Sequence, residues 1–277
     1  KMYLVKVNYI FYHIPKTGGK SIYRYFLERN MLEFATSHTS YRELFSDTES
    51  IKLIFKPKTL EIYKNMSKPP ERFTSSDEAQ CEKEKNEMLT SFQNIMQNPV
   101  NKLKNYKVFA TIRNPMDWYI SFYNHAKNMP TKDNNSSFTK ICSILSFKDF
   151  IKEYVENANV GLYTKMVCNQ TTLTKTDAHN RLTEEQEKKL YENFNNSCVN
   201  FLKIENIRED MLKYIPEICS DLQDNNFLHV NRGVVGPPNV SGRKEYLNFF
   251  EKSYGHLLEK YDIIREKDAL IFEKAGY

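Results

Sequence analysis

Ile14-Pro15-Lys16-Thr17-Gly18-Gly19-Lys20-Ser21 is the stretch from which the fold is read. Immediately before it, Asn8-Tyr9-Ile10-Phe11-Tyr12-His13-Ile14 is a short run of β-branched and aromatic residues that reads as a buried strand. Immediately after it, Ile22, Tyr25, Phe26 and Arg29 recur at helical spacing. Strand, glycine turn and helix in that order open a phosphate-binding α/β unit. Glycines let backbone N–H groups converge on an anion, the helix start adds partial positive charge, and a lysine completes the neutralisation.

Working outward, Tyr106-Lys107-Val108-Phe109-Ala110-Thr111-Ile112 reads as a second strand, ending at Arg113-Asn114-Pro115 and passing into a helix from about Met116 to Ala126. Cys198-Val199-Asn200-Phe201-Leu202-Lys203-Ile204 reads as a third, followed by Glu205 and a helix around Ile207–Ile215, and a further strand is read at Ile51–Phe55. Strands separated by helices predict an α/β, P-loop-like three-layer fold with a central, mainly parallel sheet flanked by helices. Thr183-Glu184-Glu185-Gln186 is a capping-box pattern opening a charged helix to about Phe194. Residues 61–105, rich in Lys, Glu, Asn and Ser, read as a polar helical insertion with a helix around Asp77–Met96. Without internal repeats, residues 1–277 read as a single domain with that insertion.

Composition narrows the function classes. The 277 residues carry 40 Lys+Arg against 35 Asp+Glu, a formal charge of +5. So mild an excess is far too weak to argue for a nucleic-acid coat, and any phosphate binding must come from placed residues. No apolar run approaches the ~18 residues of a membrane span. Cys81, Cys142, Cys168, Cys198 and Cys219 are scattered without C-x-x-C pairing, which argues against a zinc site or a disulfide framework. These cysteines, and an opening that runs from Lys1 almost directly into a strand, favour the cytoplasm. The lumenal part of a Golgi enzyme would look much the same.

The loop nearly matches the nucleoside-triphosphate pattern G-x-x-x-x-G-K-[ST], ending correctly in Gly19-Lys20-Ser21, but Ile14 stands where the leading glycine belongs. The next strand ends in Arg113, where a magnesium-holding aspartate would be expected. Both departures count against a P-loop kinase or NTPase. The segment Phe11–Ile22 instead resembles the 5′-phosphosulfate loop of sulfotransferases that use 3′-phosphoadenosine 5′-phosphosulfate (PAPS). In particular it is similar to the carbohydrate-type group, which includes heparan sulfate 2-O- and 6-O-sulfotransferases and bacterial relatives. In that family the next strand ends in an arginine with a serine eight residues later, as Arg113 and Ser121 stand here. Leu182–Gln186, Asn200–Glu205 and Asn239-Val240-Ser241-Gly242-Arg243-Lys244 carry a weaker likeness, while residues 40–105 match no pattern of the family.

The resemblance implies a metal-free enzyme moving a sulfuryl group from PAPS to an acceptor hydroxyl or amine, with 3′,5′-ADP released. Lys16 would stabilise the leaving oxygen, and Thr17, Gly18, Gly19, Lys20 and Ser21 would supply backbone and hydroxyl donors to the 5′-phosphate. Related loops have a small hydroxyl residue at the position of Lys20, so that lysine either points outward or reinforces phosphate binding. Arg113 and Ser121 would hold the 3′-phosphate, with Arg243 and Lys244 as further candidates that read equally well as an exposed basic pair.

For the general base, His38 follows the first helix and has the right intrinsic acidity, with a carboxylate such as Asp77 or Glu78 as the alternative. His13 reads as a packed residue of its strand, and His125, on the face of Ser121, reads as packing too. A non-catalytic nucleotide-binding module is the other reading of the same loops. The acceptor, small molecule or carbohydrate, stays open. The Lys-rich stretch Lys52–Lys68 suits a polyanion but reads more simply as a solvated face, and abundant Tyr and Phe suit a small-molecule pocket.

Overall fold

Strand β2, Tyr9–Tyr12, is buried at every position. Its side chains alternate between two cores, Ile10 and Tyr12 entering one and Tyr9 and Phe11 the other. A strand covered on both faces cannot alternate with polar residues, which is why this one reads as an unbroken apolar run. In the computed structural model it pairs in parallel with β5, Lys107–Ile112, from Tyr9↔Lys107 to Tyr12↔Ala110. Strand β6, Val199–Lys203, continues the parallel set beyond β5. These are the three strands read from the sequence, and they make the fold α/β.

The other side of the sheet runs differently. Strand β1, Met2–Val5, is antiparallel to β2, and β3, Leu32–Ser37, is antiparallel to β1. Strand β4, Lys52–Leu53, is antiparallel to β3 and falls within the stretch read as a strand at 51–55. Among the described residues the order is β4-β3-β1-β2-β5-β6. The connection from Val5 to Tyr9 is too short for a crossover, and only antiparallel neighbours can be joined that way. Asn8, at φ 64°, makes that turn, and its carbonyl accepts from Lys107 N–H at 2.9 Å.

The described residues are 2–5, 8–29, 31–37, 52–53, 106–127, 144–171, 181–197, 199–217 and 261–277, with Cys142, Cys219 and separate helical residues between 78 and 90. Those last fall inside the helix expected at 77–96.

Helices cover both faces of the sheet. Helix α1, Gly19–Glu28, buries Ile22, Tyr25 and Phe26 with Phe11 and Phe109. Helix α2, Pro115–Lys127, packs on the opposite face and is buried over most of its circumference. Pro115 occupies its first position, where a missing N–H does no harm, and Asn114 Oδ1 accepts from Met116 N at 3.0 Å. Beyond it come α3, Phe147–Ile151, running into a π-helical turn at Lys152–Glu156, and α4, Leu162–Thr171. Helix α5, Glu184–Asn195, begins with the expected reciprocal cap between Thr183 and Gln186. After β6, a 3₁₀ turn at Ile204–Asn206 leads into α6, Ile207–Tyr214, which joins α1 on its face. Helices α7, Tyr261–Lys267, and α8, Ala269–Ala275, return to the α2 side. Among the described residues no helix is long and apolar enough to cross a membrane.

Candidate active site at the ends of two parallel strands

In an open α/β sheet, ligands bind beyond the carboxyl ends of the parallel strands. Strand β2 ends at Tyr12, and the chain turns through Pro15–Gly18 before entering α1 at Gly19. Lys16 sits at φ 67° and Gly18 at φ 75°, with Thr17 between them at negative φ. Alternation of that kind points successive backbone N–H groups to one side and makes an anion-sized concavity. For Gly18 the conformation is free, whereas a residue with a side chain pays about 1–2 kcal/mol in the left-handed region. Strain of that sort at Lys16 is held in place by the surrounding contacts and points to a functional loop.

Those contacts come from within the loop and from β5. Thr17 is fully buried, and its hydroxyl donates to the Ile14 carbonyl at 2.8 Å. Having donated its one proton, it accepts from the Thr111 hydroxyl at 2.8 Å. The Thr17 hydroxyl therefore serves the loop itself, and what Thr17 can offer a ligand is backbone. Ser21 N donates to the Gly18 carbonyl at 2.9 Å, leaving Ser21 its hydroxyl. A Cβ at Gly19 would lie 2.0 Å from His13 Cδ2, so the half-buried His13 ring occupies the space a larger residue would need. Lys20 begins the helix, but its side chain lies outside the described residues.

On the adjacent strand, Arg113 follows the end of β5 and is half-buried, and Ser121 is half-buried on α2. The backbone N–H of Arg113 donates to Tyr163 Oη at 2.9 Å, and that of Asn114 to Glu205 Oε1 at 2.9 Å. Burial pushes the Tyr163 phenol well up, so it stays protonated. Asn114 is 2% exposed, and its side-chain Nδ2 has no hydrogen-bond partner among the described residues. A buried donor without a partner normally costs about 1–3 kcal/mol, so this corner has capacity for an acceptor.

The two loops are tied together. Trp118 Nε1 donates to the Pro15 carbonyl at 2.8 Å, and its ring stacks on Tyr163 at 4.4 Å between centroids. Trp118, Thr111, Tyr163 and Asp268 were not singled out by the sequence, although Trp118 is the chain's one tryptophan and lies in the helix that follows Arg113. Asp268, fully buried, has its carboxyl pushed up to about 6 by burial, against the opposing hydrogen bonds of Thr164 and Tyr119 and the charge of Lys165.

Of the remaining candidates, His38, Arg243 and Lys244 lie outside the described residues, as does Asp77. His125 is exposed on the last turn of α2 and does not pack as expected, because the buried stripe there is carried by Phe122, Tyr123 and Ala126. Cys142, Cys168 and Cys219 are buried and not joined in disulfides, and burial pushes the Cys142 thiol up to about 11, which disfavours the nucleophilic thiolate. Among the described residues no cluster of three or more His, Cys, Asp or Glu could hold a metal ion.

Residues 5–230, which include both loops and the three parallel strands, match the model of the sulfotransferase family. The chain belongs to that family. No curated protein and no solved structure matches it. As a sulfotransferase, the chain has sulfuryl transfer as its general chemistry, and both strand-end loops fall within the matched span. Helices α7 and α8 lie beyond the matched span.

Proposed function

We propose that the protein transfers the sulfuryl group of PAPS to an acceptor hydroxyl or amine by in-line displacement. The observation that carries this reading is the pairing of a φ-alternating loop after β2 with Arg113 after the adjacent parallel β5. The first suits a tetrahedral 5′-phosphate held by backbone N–H groups, and the second suits a 3′-phosphate held by a forked cation. Asn114 Nδ2 gives the second corner another donor. Gly18, Gly19, Lys20 and Ser21 would line the 5′-phosphate with backbone N–H and hydroxyl groups, and Ser121 would join Arg113.

The acceptor oxygen bonds to sulfur as the bond from sulfur to the 5′-phosphate oxygen breaks. Lys16 sits in the loop where negative charge grows on that departing oxygen, and a preorganised cation there lowers the barrier. The acceptor proton passes to a base, for which His38 is our assignment. Strand β3 ends at Ser37 on the same edge of the sheet as β2, since Met2 pairs with Tyr12 on one side and with Thr36 on the other. Ser37, the last residue before the proposed base, thus lies about two strand spacings, roughly 10 Å, from the end of β2.

The decisive measurement is transfer of labelled sulfate from PAPS into a mixed panel of small-molecule and carbohydrate acceptors. Lys16→Ala should abolish transfer, and His38→Ala should reduce it by about 10²-fold or more. Full activity in His38→Ala would remove the base assignment alone. Thermal stabilisation by ATP·Mg but not by 3′,5′-ADP would overturn the reading in favour of a phosphoryl-transfer enzyme. Binding of 3′,5′-ADP without transfer to any acceptor would make the chain a nucleotide-binding module.

A further inference from the structure

Arg113 and Asn114 stand where β5 bends into α2. Their backbone N–H groups have left the strand ladder, and each must find another partner. Both partners lead to the same place. Arg113 N–H is held by Tyr163 Oη at 2.9 Å; Tyr163 N–H donates to Tyr119 Oη at 3.2 Å; and Tyr119 Oη donates to Asp268 Oδ2 at 2.7 Å. Asp268 Oδ1 is fixed in turn by Thr164, through its N–H at 2.8 Å and its hydroxyl at 2.7 Å. Asn114 N–H is held by Glu205 Oε1 at 2.9 Å, and Glu205 Oε2 accepts from Tyr277 Oη at 2.7 Å.

Asp268 lies between α7 and α8, and Tyr277 follows α8. The helix pair is seated firmly enough to act as a reference. Gly161 N–H donates to the Lys267 carbonyl at 2.8 Å, and a Cβ at Gly161 would strike the Asp268 carboxyl at 2.3 Å. Lys203 Nζ donates to the Gly276 carbonyl at 3.1 Å and lies 5.2 Å from the centre of the Tyr277 ring.

We propose that the α7–α8 segment is a positioning element for the 3′-phosphate end of the cofactor site. Tyr277 acts through Glu205, and Asp268 through Tyr119 and Tyr163. Together they fix the peptide planes flanking Arg113 and so set the direction in which its guanidinium leaves the sheet. The inference rests on the PAPS reading for the identity of the ligand and on the hydrogen-bond chain for everything else. A segment outside the family match would thereby tune a site inside it.

Titration calorimetry with 3′,5′-ADP and with 5′-AMP, which lacks the 3′-phosphate, separates positioning from general stability. Tyr277→Phe keeps the ring and removes only the donor to Glu205. Glu205→Gln provides a second variant at the next link. Each should weaken 3′,5′-ADP by about five- to tenfold, the effect expected for loss of one ordinary hydrogen bond, and leave 5′-AMP within twofold. Equal weakening of both nucleotides would show a merely structural role, and unchanged binding of both would show none; either overturns the inference. If the unaltered protein itself bound the two nucleotides equally, the 3′-phosphate reading would fail first and take the inference with it.

Discussion

Trp118 Nε1 reaches across from the helix after β5 to hold the Pro15 carbonyl of the loop after β2, at 2.8 Å. One buried side chain therefore fixes the spacing between two loops that local sequence cannot relate. Its ring is itself held between Tyr163, stacked at 4.4 Å, and Phe122, stacked at 4.8 Å.

Trp118→Phe keeps an aromatic ring in that stack and deletes the donor. The Pro15 carbonyl then loses its partner and a small void opens beside it. We expect a stability loss of about 1–3 kcal/mol by urea unfolding. We also expect weaker 3′,5′-ADP binding, because the first residue of the loop is no longer tethered. Unaltered affinity alongside that stability loss would show that the tether serves folding only.

A second tie runs from Thr17 to Thr111. Thr111→Val removes their mutual bond, while Thr17→Val removes that bond and the one to Ile14 as well. Thr17→Val leaves the Thr111 hydroxyl without that partner and strips the Ile14 carbonyl of its side-chain donor, at about 1–3 kcal/mol, whereas Thr111→Val leaves the Thr17 hydroxyl donating to Ile14 and costs less. The double variant should be no less stable than Thr17→Val alone, since the second valine replaces a hydroxyl already orphaned. Strict additivity in the unfolding free energies would mean the two hydroxyls are not coupled.

These ties explain what the sequence could and could not show. Strands β2 and β5 were legible because burial on both faces leaves nearly continuous apolar runs, and β6 because Val199, Phe201 and Leu202 are β-branched, aromatic or apolar residues within five positions. The positions of Lys16 and Arg113 followed from where the first two runs stop. The α5 cap was legible because Thr183 and Gln186 are three residues apart. Strand β3 went unread: Leu32-Glu33-Phe34-Ala35-Thr36-Ser37 gives neither a clean alternation nor an unbroken apolar run. Trp118–Pro15, Thr17–Thr111 and Tyr277–Glu205 span 103, 94 and 72 residues, and no periodicity encodes contacts of that range. His13, read as a packed residue within its strand, instead stands just past the end of β2, half-buried against Gly19, and no local pattern showed why that glycine is there.

Lys16 in the left-handed region predicts an inverted ranking of substitutions. Elsewhere, glycine is less stable than alanine by about 0.5–1 kcal/mol through the entropy of the unfolded chain. At this position alanine retains the Cβ strain and glycine releases it, about 1–2 kcal/mol in the opposite sense. Lys16→Gly should therefore unfold at an equal or higher urea concentration than Lys16→Ala, with both inactive in sulfuryl transfer. Alanine more stable than glycine would show that the loop relaxes its φ when the lysine is removed.

Asp268 gives the fold a pH dependence of unusual sign. Burial, first among the causes, raises its carboxyl from 3.8 to about 6 despite the donors from Thr164 and Tyr119 and the nearby charge of Lys165. Because the folded pKa lies above the unfolded one, the folded state binds more protons between the two values. The contribution of this group to stability is complete below about pH 4 and is lost as pH rises through about 6. Other carboxylates mask the trend in the whole protein, so the comparison must be made against Asp268→Asn, which cannot ionise and keeps an oxygen for Thr164. Across that window the unfolding free energy of the unaltered protein should fall relative to the variant by roughly 3 kcal/mol, and then level off. A difference that stayed flat with pH would mean the carboxyl ionises in the fold as readily as in water, and its hydrogen bonds from Tyr119 and Thr164 would then have to offset its burial completely.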